Sequence, residues 1–204
     1  MTLAFVACNK DDTSTSSNSN SNNNGIFVIE AKDVLIHGNA DNLASVGIIY
    51  DEKDPVIIAT AEYKNRGFKL TLPKTIEDKY LFPISSWFET GIVSDEKTKI
   101  QQIIPGKILG FDNQGYDFEK NYVGYFDFRN SGCGLAAFLY VDRNCTVTGE
   151  GDMDGIPTKY DCKFNKGWNT LYIISCWDDD GYVTTKKPSD WNWNWIFHSE
   201  DYYK

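Results

Sequence analysis

Histidine is scarce in this chain, with His37 and His198 the only two, and no pair of cysteines stands in a CxxC arrangement. A zinc-ligand spacing is therefore absent. GxSxG, HExxH and a phosphate-cradling glycine loop are missing too, which removes the common signatures of serine hydrolases, zinc proteases and nucleotide-binding enzymes. No apolar run approaches the length that a membrane-spanning helix needs. Positive charge is in deficit: 20 Lys and Arg stand against 29 Asp and Glu, for a net charge of −9. A phosphate backbone would be repelled, so nucleic acid is excluded as a partner.

What is present begins at the N-terminus. An apolar stretch, Leu3–Ala7, runs into Cys8 and then into Asn9-Lys10-Asp11-Asp12. The order resembles a bacterial lipoprotein signal, with Val6 and Ala7 before the cysteine whose thiol is acylated. Phe5 stands where such signals usually carry Leu. The apolar run is short and lacks a basic leader, so the translation start is expected upstream of Met1. The Lys-plus-acidic pair after Cys8 resembles the signal that sends Bacteroidota-type lipoproteins to the outer face of the outer membrane. Residues 1–8 are read as the signal remnant, and residues 9–25, nearly all Ser, Thr and Asn from Thr13 on, as a disordered tether. Such a tether spans roughly 20–25 Å. The resemblance implies a cell-surface protein held to the membrane by lipid at Cys8, two or three acyl chains making that anchor stable.

Residues 26–204 read as one β domain. Aromatic residues make up 15% of the chain, and they favour strands and bury large areas. Strands are expected at Ile26–Ile29, Val34–Ile36, Ala44–Tyr50, Val56–Tyr63 and Phe68–Leu72. In the last, Phe68, Leu70 and Leu72 share one face, Lys69 and Thr71 take the other, and Pro73 ends the ladder. Ile76–Thr90 is the least strand-like stretch and suits a short helix or a long loop. Further strands are expected over Ile100–Phe111, Tyr122–Phe128, Leu135–Val141 and Cys145–Thr148, with Asp142-Arg143-Asn144 as a hairpin turn between the last two. Asn165-Lys166-Gly167 predicts a second hairpin, from the alternating Tyr160–Phe164 into Trp168–Trp177. Many short strands and no amphipathic helix predict an all-β, antiparallel β-sandwich.

From Ile58 onward, IATAEYKNRGFKLTLP, LYVDRNCTVTGE, FNKGWNTLYII and PSDWNWNWIF together resemble small Bacteroidota-type surface lipoproteins. The resemblance implies a β-sandwich of the fibronectin or transthyretin sort. It brings no reaction and no ligand with it.

The sharpest local pattern is Asp190–Phe197. In a strand Trp191, Trp193 and Trp195 share one face with Phe197, and Asn192 and Asn194 lie on the other. Read functionally, the indoles form a platform for sugar rings and the Asn side chains bond hydroxyls. A core strand with Trp inward explains the Asn positions without a ligand. Asp178-Asp179-Asp180 and Asp152-Met153-Asp154, in Gly-bearing turns, supply the oxygens that calcium needs, though neither has EF-hand spacing and acidic turns are ordinary surface chemistry. Cys133, Cys145, Cys162 and Cys176 form either two disulfides, in one of three connectivities, or remain buried thiols. No catalytic residue is identified, and His198 is expected at the surface. The expectation is a surface binding module, for glycan first and for a protein partner second, with a glycosidase the least supported class.

Overall fold

In the computed structural model, residues 26–50, 56–104, 106–130, 132–153, 155–175, 180–189 and 191–203 are described. They form sixteen strands, and the helical content among them is three short 3-10 turns. In chain order the strands are β1 (Phe27–Ala31), β2 (Leu35–His37), β3 (Ser45–Ile49), β4 (Ile57–Glu62) and β5 (Phe68–Leu72). Next come β6 (Phe82–Pro83), β7 (Ile92–Val93), β8 (Lys99–Ile103), β9 (Ile108–Phe111), β10 (Tyr122–Asn130) and β11 (Gly134–Val141). The last five are β12 (Cys145–Met153), β13 (Ile156–Phe164), β14 (Gly167–Ile174), β15 (Gly181–Thr184) and β16 (Trp193–Ser199).

Hydrogen bonding is continuous through fourteen strands, yet a single residue pair, Arg129 with Leu135, joins two halves. One half runs β4-β3-β9-β10-β16-β2 and the other β6-β8-β11-β14-β15-β13-β12-β7; β1 and β5 form a separate ribbon. The fold is thus an all-β sandwich, and most of its pairings are antiparallel. Two are parallel, β2 with β16 and β13 with β15. The second follows from geometry: β13 and β14 run in opposite directions, and β15 lies between them, so it must be parallel to one.

The main core packs the ribbon and the first sheet against one face of β11 and β14. Ile29, Leu70, Phe126, Phe128, Trp195 and Phe197 all lie in it. A second core sits on the other face of the same two strands, where Leu139, Val141 and Leu171 meet Phe88, Cys162 and Phe164. That is why β11 reads GLAAFLYV, apolar at nearly every position: Ala136 and Phe138 face one core, Leu139 and Val141 the other.

Strand β5 alternates as its sequence predicts, Phe68, Leu70 and Leu72 buried and Lys69 and Thr71 exposed. The stretch from Ile100 to Phe111, expected as one strand, is two, β8 and β9. The two expected hairpins do not form. Strand β11 pairs with β8 and β14, while β12 pairs with β7 and β13. The turn at Asp142 is tied instead to β8: the Lys99 N–H donates to Asp142 Oδ1 at 2.9 Å, and the Asp142 N–H donates to Lys99 O at 3.0 Å. At Asn165–Gly167, the Asn169 side chain donates to Asn165 O and Gly167 O and accepts from Asn165 N–H, so the turn is closed by a side chain and not by a ladder. The strands are then free to diverge, as at the corners of orthogonally packed sheets.

Candidate functional site

The second sheet is not closed. Its apolar inner face continues past the core to an open end, where Leu135 on β11 pairs with Ile173 on β14 and both side chains are half-buried. This end is a cleft of about 650 Å³. Ile104, Leu135, Met153, Ile156 and Ile173 give it an apolar lining. The segment after the Ile84–Ser86 turn supplies one wall with Trp87, anchored by its edge-to-face contact with the buried Phe88 at 4.9 Å. The tip of the β12–β13 hairpin supplies the other, with Asp152. Glu89, Ser86, Ser175 and Tyr160 complete the polar part. The volume lies within the range of small-molecule sites, and the lining combines apolar with polar groups.

Thr90 holds the two walls together. Its hydroxyl donates to Asp152 O at 3.1 Å and accepts from the Asp152 N–H at 3.0 Å. Having one proton, already given to Asp152 O, the hydroxyl can only accept from Tyr160 Oη, 3.3 Å away. Gly151 permits the approach, because a Cβ there would collide with Thr90. The carboxylate of Asp152 is steadied by the Gly155 N–H, which donates to Oδ1 at 2.8 Å. The Asp152 backbone is thereby held beside the residue that follows Glu89, and both acidic residues line the cleft.

The tryptophan strand is divided between roles. Trp193 and Trp195 are each 2% exposed and belong to the main core, so neither ring face is open to a sugar. Trp195 stacks on Phe128 at 4.9 Å, meets Phe68 edge-on at 5.2 Å and donates its Nε1–H to Glu30 O at 3.2 Å. The platform expected from the sequence narrows to Trp191, which is half-buried, stacked on Trp193 at 6.1 Å, and laid down over Gly134. Asn192 is exposed and Asn194 half-buried.

His198 is not a surface residue. It is 3% exposed, its Nε2 lies 3.3 Å from Oδ2 of Asp127, and its ring stacks on Tyr125. Asp127 is itself 1% exposed and accepts from the Arg129 guanidinium. The place of His198 near the C-terminus, after the Trp run, suggests exposure, whereas β16 continues to Ser199 and is buried on both faces there, Ile196 and His198 included. Burial pushes the His198 pKa down; Asp127 opposes this, and Arg129 and His37 add to it.

Cys133 is disulfide-bonded, while Cys145 and Cys162 are buried free thiols, so one pairing and one pair of thiols replace the two alternatives read from the sequence. Of the acidic turns, Asp152 serves the hairpin tip and Asp180 is exposed beside β15. Asp154, Asp178 and Asp179, like Cys8 and Cys176, lie outside the described residues. Among the described residues no three His, Cys, Asp or Glu side chains converge as a metal site would require. The sequence signals nothing of the cleft, since Trp87 falls in the stretch without periodicity and the Thr90–Asp152 contact is long-range. Comparison with protein families, with curated proteins and with solved structures gives no match to this chain.

Proposed function

We propose that the chain is a lipid-anchored cell-surface protein of the outer membrane, tethered through Cys8, whose β-sandwich is a binding module. The observation that carries the binding role is the cleft between Trp87 and the β12–β13 tip, with its apolar lining and few fixed polar groups. An apolar or amphipathic small molecule suits it, because burying apolar ligand surface supplies about 25 cal/mol per Å². The anchor is supported by the order of residues around Cys8.

The test is binding of a neutral environment-sensitive dye, N-phenylnaphthylamine, followed by its fluorescence. The parent chain is expected to enhance the signal saturably, and Trp87→Ala and Met153→Glu to weaken it about tenfold or more while keeping the fold. Dye binding that neither substitution alters would remove the cleft as the site. Fatty-acid labelling of a precursor with its native leader is expected to vanish in Cys8→Ser.

Trp191 favours a second reading. Its half-buried indole, beside the exposed Asn192, is the one of the Trp191–Trp195 run that the core does not fully enclose. A glycan signal lost in Trp191→Ala but kept in Trp87→Ala would place carbohydrate there.

A further inference from the structure

We infer that the ligand of the cleft is an organic cation with an apolar body, an amine or quaternary ammonium carried on an alkyl or aryl group. The inference rests on the cleft being the binding site and adds the charge of what it takes. Both charged residues in its lining, Glu89 and Asp152, are acidic, and no Lys, Arg or His is among the described residues that line it. Thr90, the residue after Glu89, is bonded to the backbone of Asp152, so the two acidic residues come from adjoining segments of the lining and make it electronegative. The Asp152 carboxylate gives one hydrogen bond's worth of capacity to the Gly155 N–H, and a carboxylate accepts about four.

An indole, the aromatic surface that attracts cations most strongly, stands in the same lining at Trp87. Ile104, Leu135 and Ile173 in the same lining offer an ammonium nothing and an alkyl or aryl group a place out of water. Other ligand classes fit less well. An anion meets two carboxylates and a chain of net charge −9. A neutral sugar would leave most of its hydroxyls against aliphatic side chains, each without a partner. A bare divalent ion needs several converging oxygens, and two carboxylates in a largely apolar lining do not provide them.

A matched series separates these terms: phenylbutylamine, phenylbutanol and phenylbutyrate have the same body and differ in the head. Titration calorimetry with the full chain near neutral pH is expected to rank amine above alcohol by about tenfold, with the carboxylate weakest. Raising the salt to about 0.5 M should shrink the gap between amine and alcohol. The double substitution Glu89→Gln with Asp152→Asn keeps the shape of the rim and the acceptor for Gly155, and it should abolish that gap; its melting midpoint reports that the fold persists. Alcohol binding equal to or tighter than amine binding overturns the charge inference and leaves the cleft standing, provided Trp87→Ala weakens both. A gap that survives the double substitution overturns it as well. If none of the three compounds binds and the neutral dye fails too, the cleft reading falls and the inference falls with it.

Discussion

His37 and His198 meet edge to face across the parallel β2–β16 pair, ring centroids 5.1 Å apart and planes inclined by 83°. They are the only histidines of the chain, and the fold sets them side by side with the Asp127–Arg129 ion pair behind. The His198 side chain is held below the ordinary histidine pKa of 6.5, chiefly by burial.

A pH dependence of stability follows. The unfolded chain takes up a proton at His198 more readily than the folded one, so the contribution is complete well above pH 6.5 and is lost as the pH falls from there toward the folded value. Melting midpoints measured between about pH 8 and pH 5 should fall on the acid side. His198→Gln should lower the midpoint at all pH values and flatten this slope; an unchanged slope would show that other groups carry it.

Truncation of the tryptophans should be graded by burial. Trp193→Ala and Trp195→Ala are expected to cost about 3–5 kcal/mol each, through lost transfer energy and the cavity left behind. Trp191→Ala, half-buried, should cost about 1–2 kcal/mol. Denaturant titrations of the three variants check the order, and equal costs would contradict the placement of Trp191 at the rim.

Thr90→Val keeps the shape of the side chain and removes the hydroxyl that joins the cleft walls. Stability should drop by about 1 kcal/mol, little for hydrogen bonds at an exposed residue. Amide exchange at Asp152 should accelerate, and dye affinity should fall because the segment that carries Trp87 and the hairpin tip are held together less firmly. Unaltered exchange would mean that the hairpin tip is positioned by other contacts.

Cys145 and Cys162 should resist thiol reagents in the native state. They are 5% and 1% exposed, and burial pushes the Cys162 pKa up to about 12, so little thiolate forms. Mass-spectrometric mapping after alkylation is expected to show both labelled in guanidinium and neither in buffer.

Much of the fold was legible where one face of a strand is wet. Strand β5 shows this, since Lys69 and Thr71 mark the solvent side and fix Phe68, Leu70 and Leu72 inside. Pairing was less legible. The polar residues at Asp142–Asn144 and Asn165–Gly167 announce turns, yet the Asp142 side chain bonds to β8 and the backbone of Asn165 and Gly167 bonds to the Asn169 side chain, so neither turn closes a hairpin ladder. Strand β16 misled for a related reason: the alternation of Trp and Asn ends at Asn194, and beyond it Ile196 and His198 are buried on the second face. The cleft was invisible because its walls come from segments far apart in the chain, joined by the β7–β12 pairing and the Thr90–Asp152 contact.

Strands β11 and β14 touch both cores, and this bears on how the domain comes apart. Loss of order in either core strips one face from the same two strands and exposes Phe138 and Tyr172 or Leu139 and Leu171 to water. Neither half can melt while the other keeps its partner surface, so local opening on the scale of one core is suppressed. Calorimetry should record one heat-absorption peak in which the calorimetric and van 't Hoff enthalpies agree, the signature of a single cooperative unit.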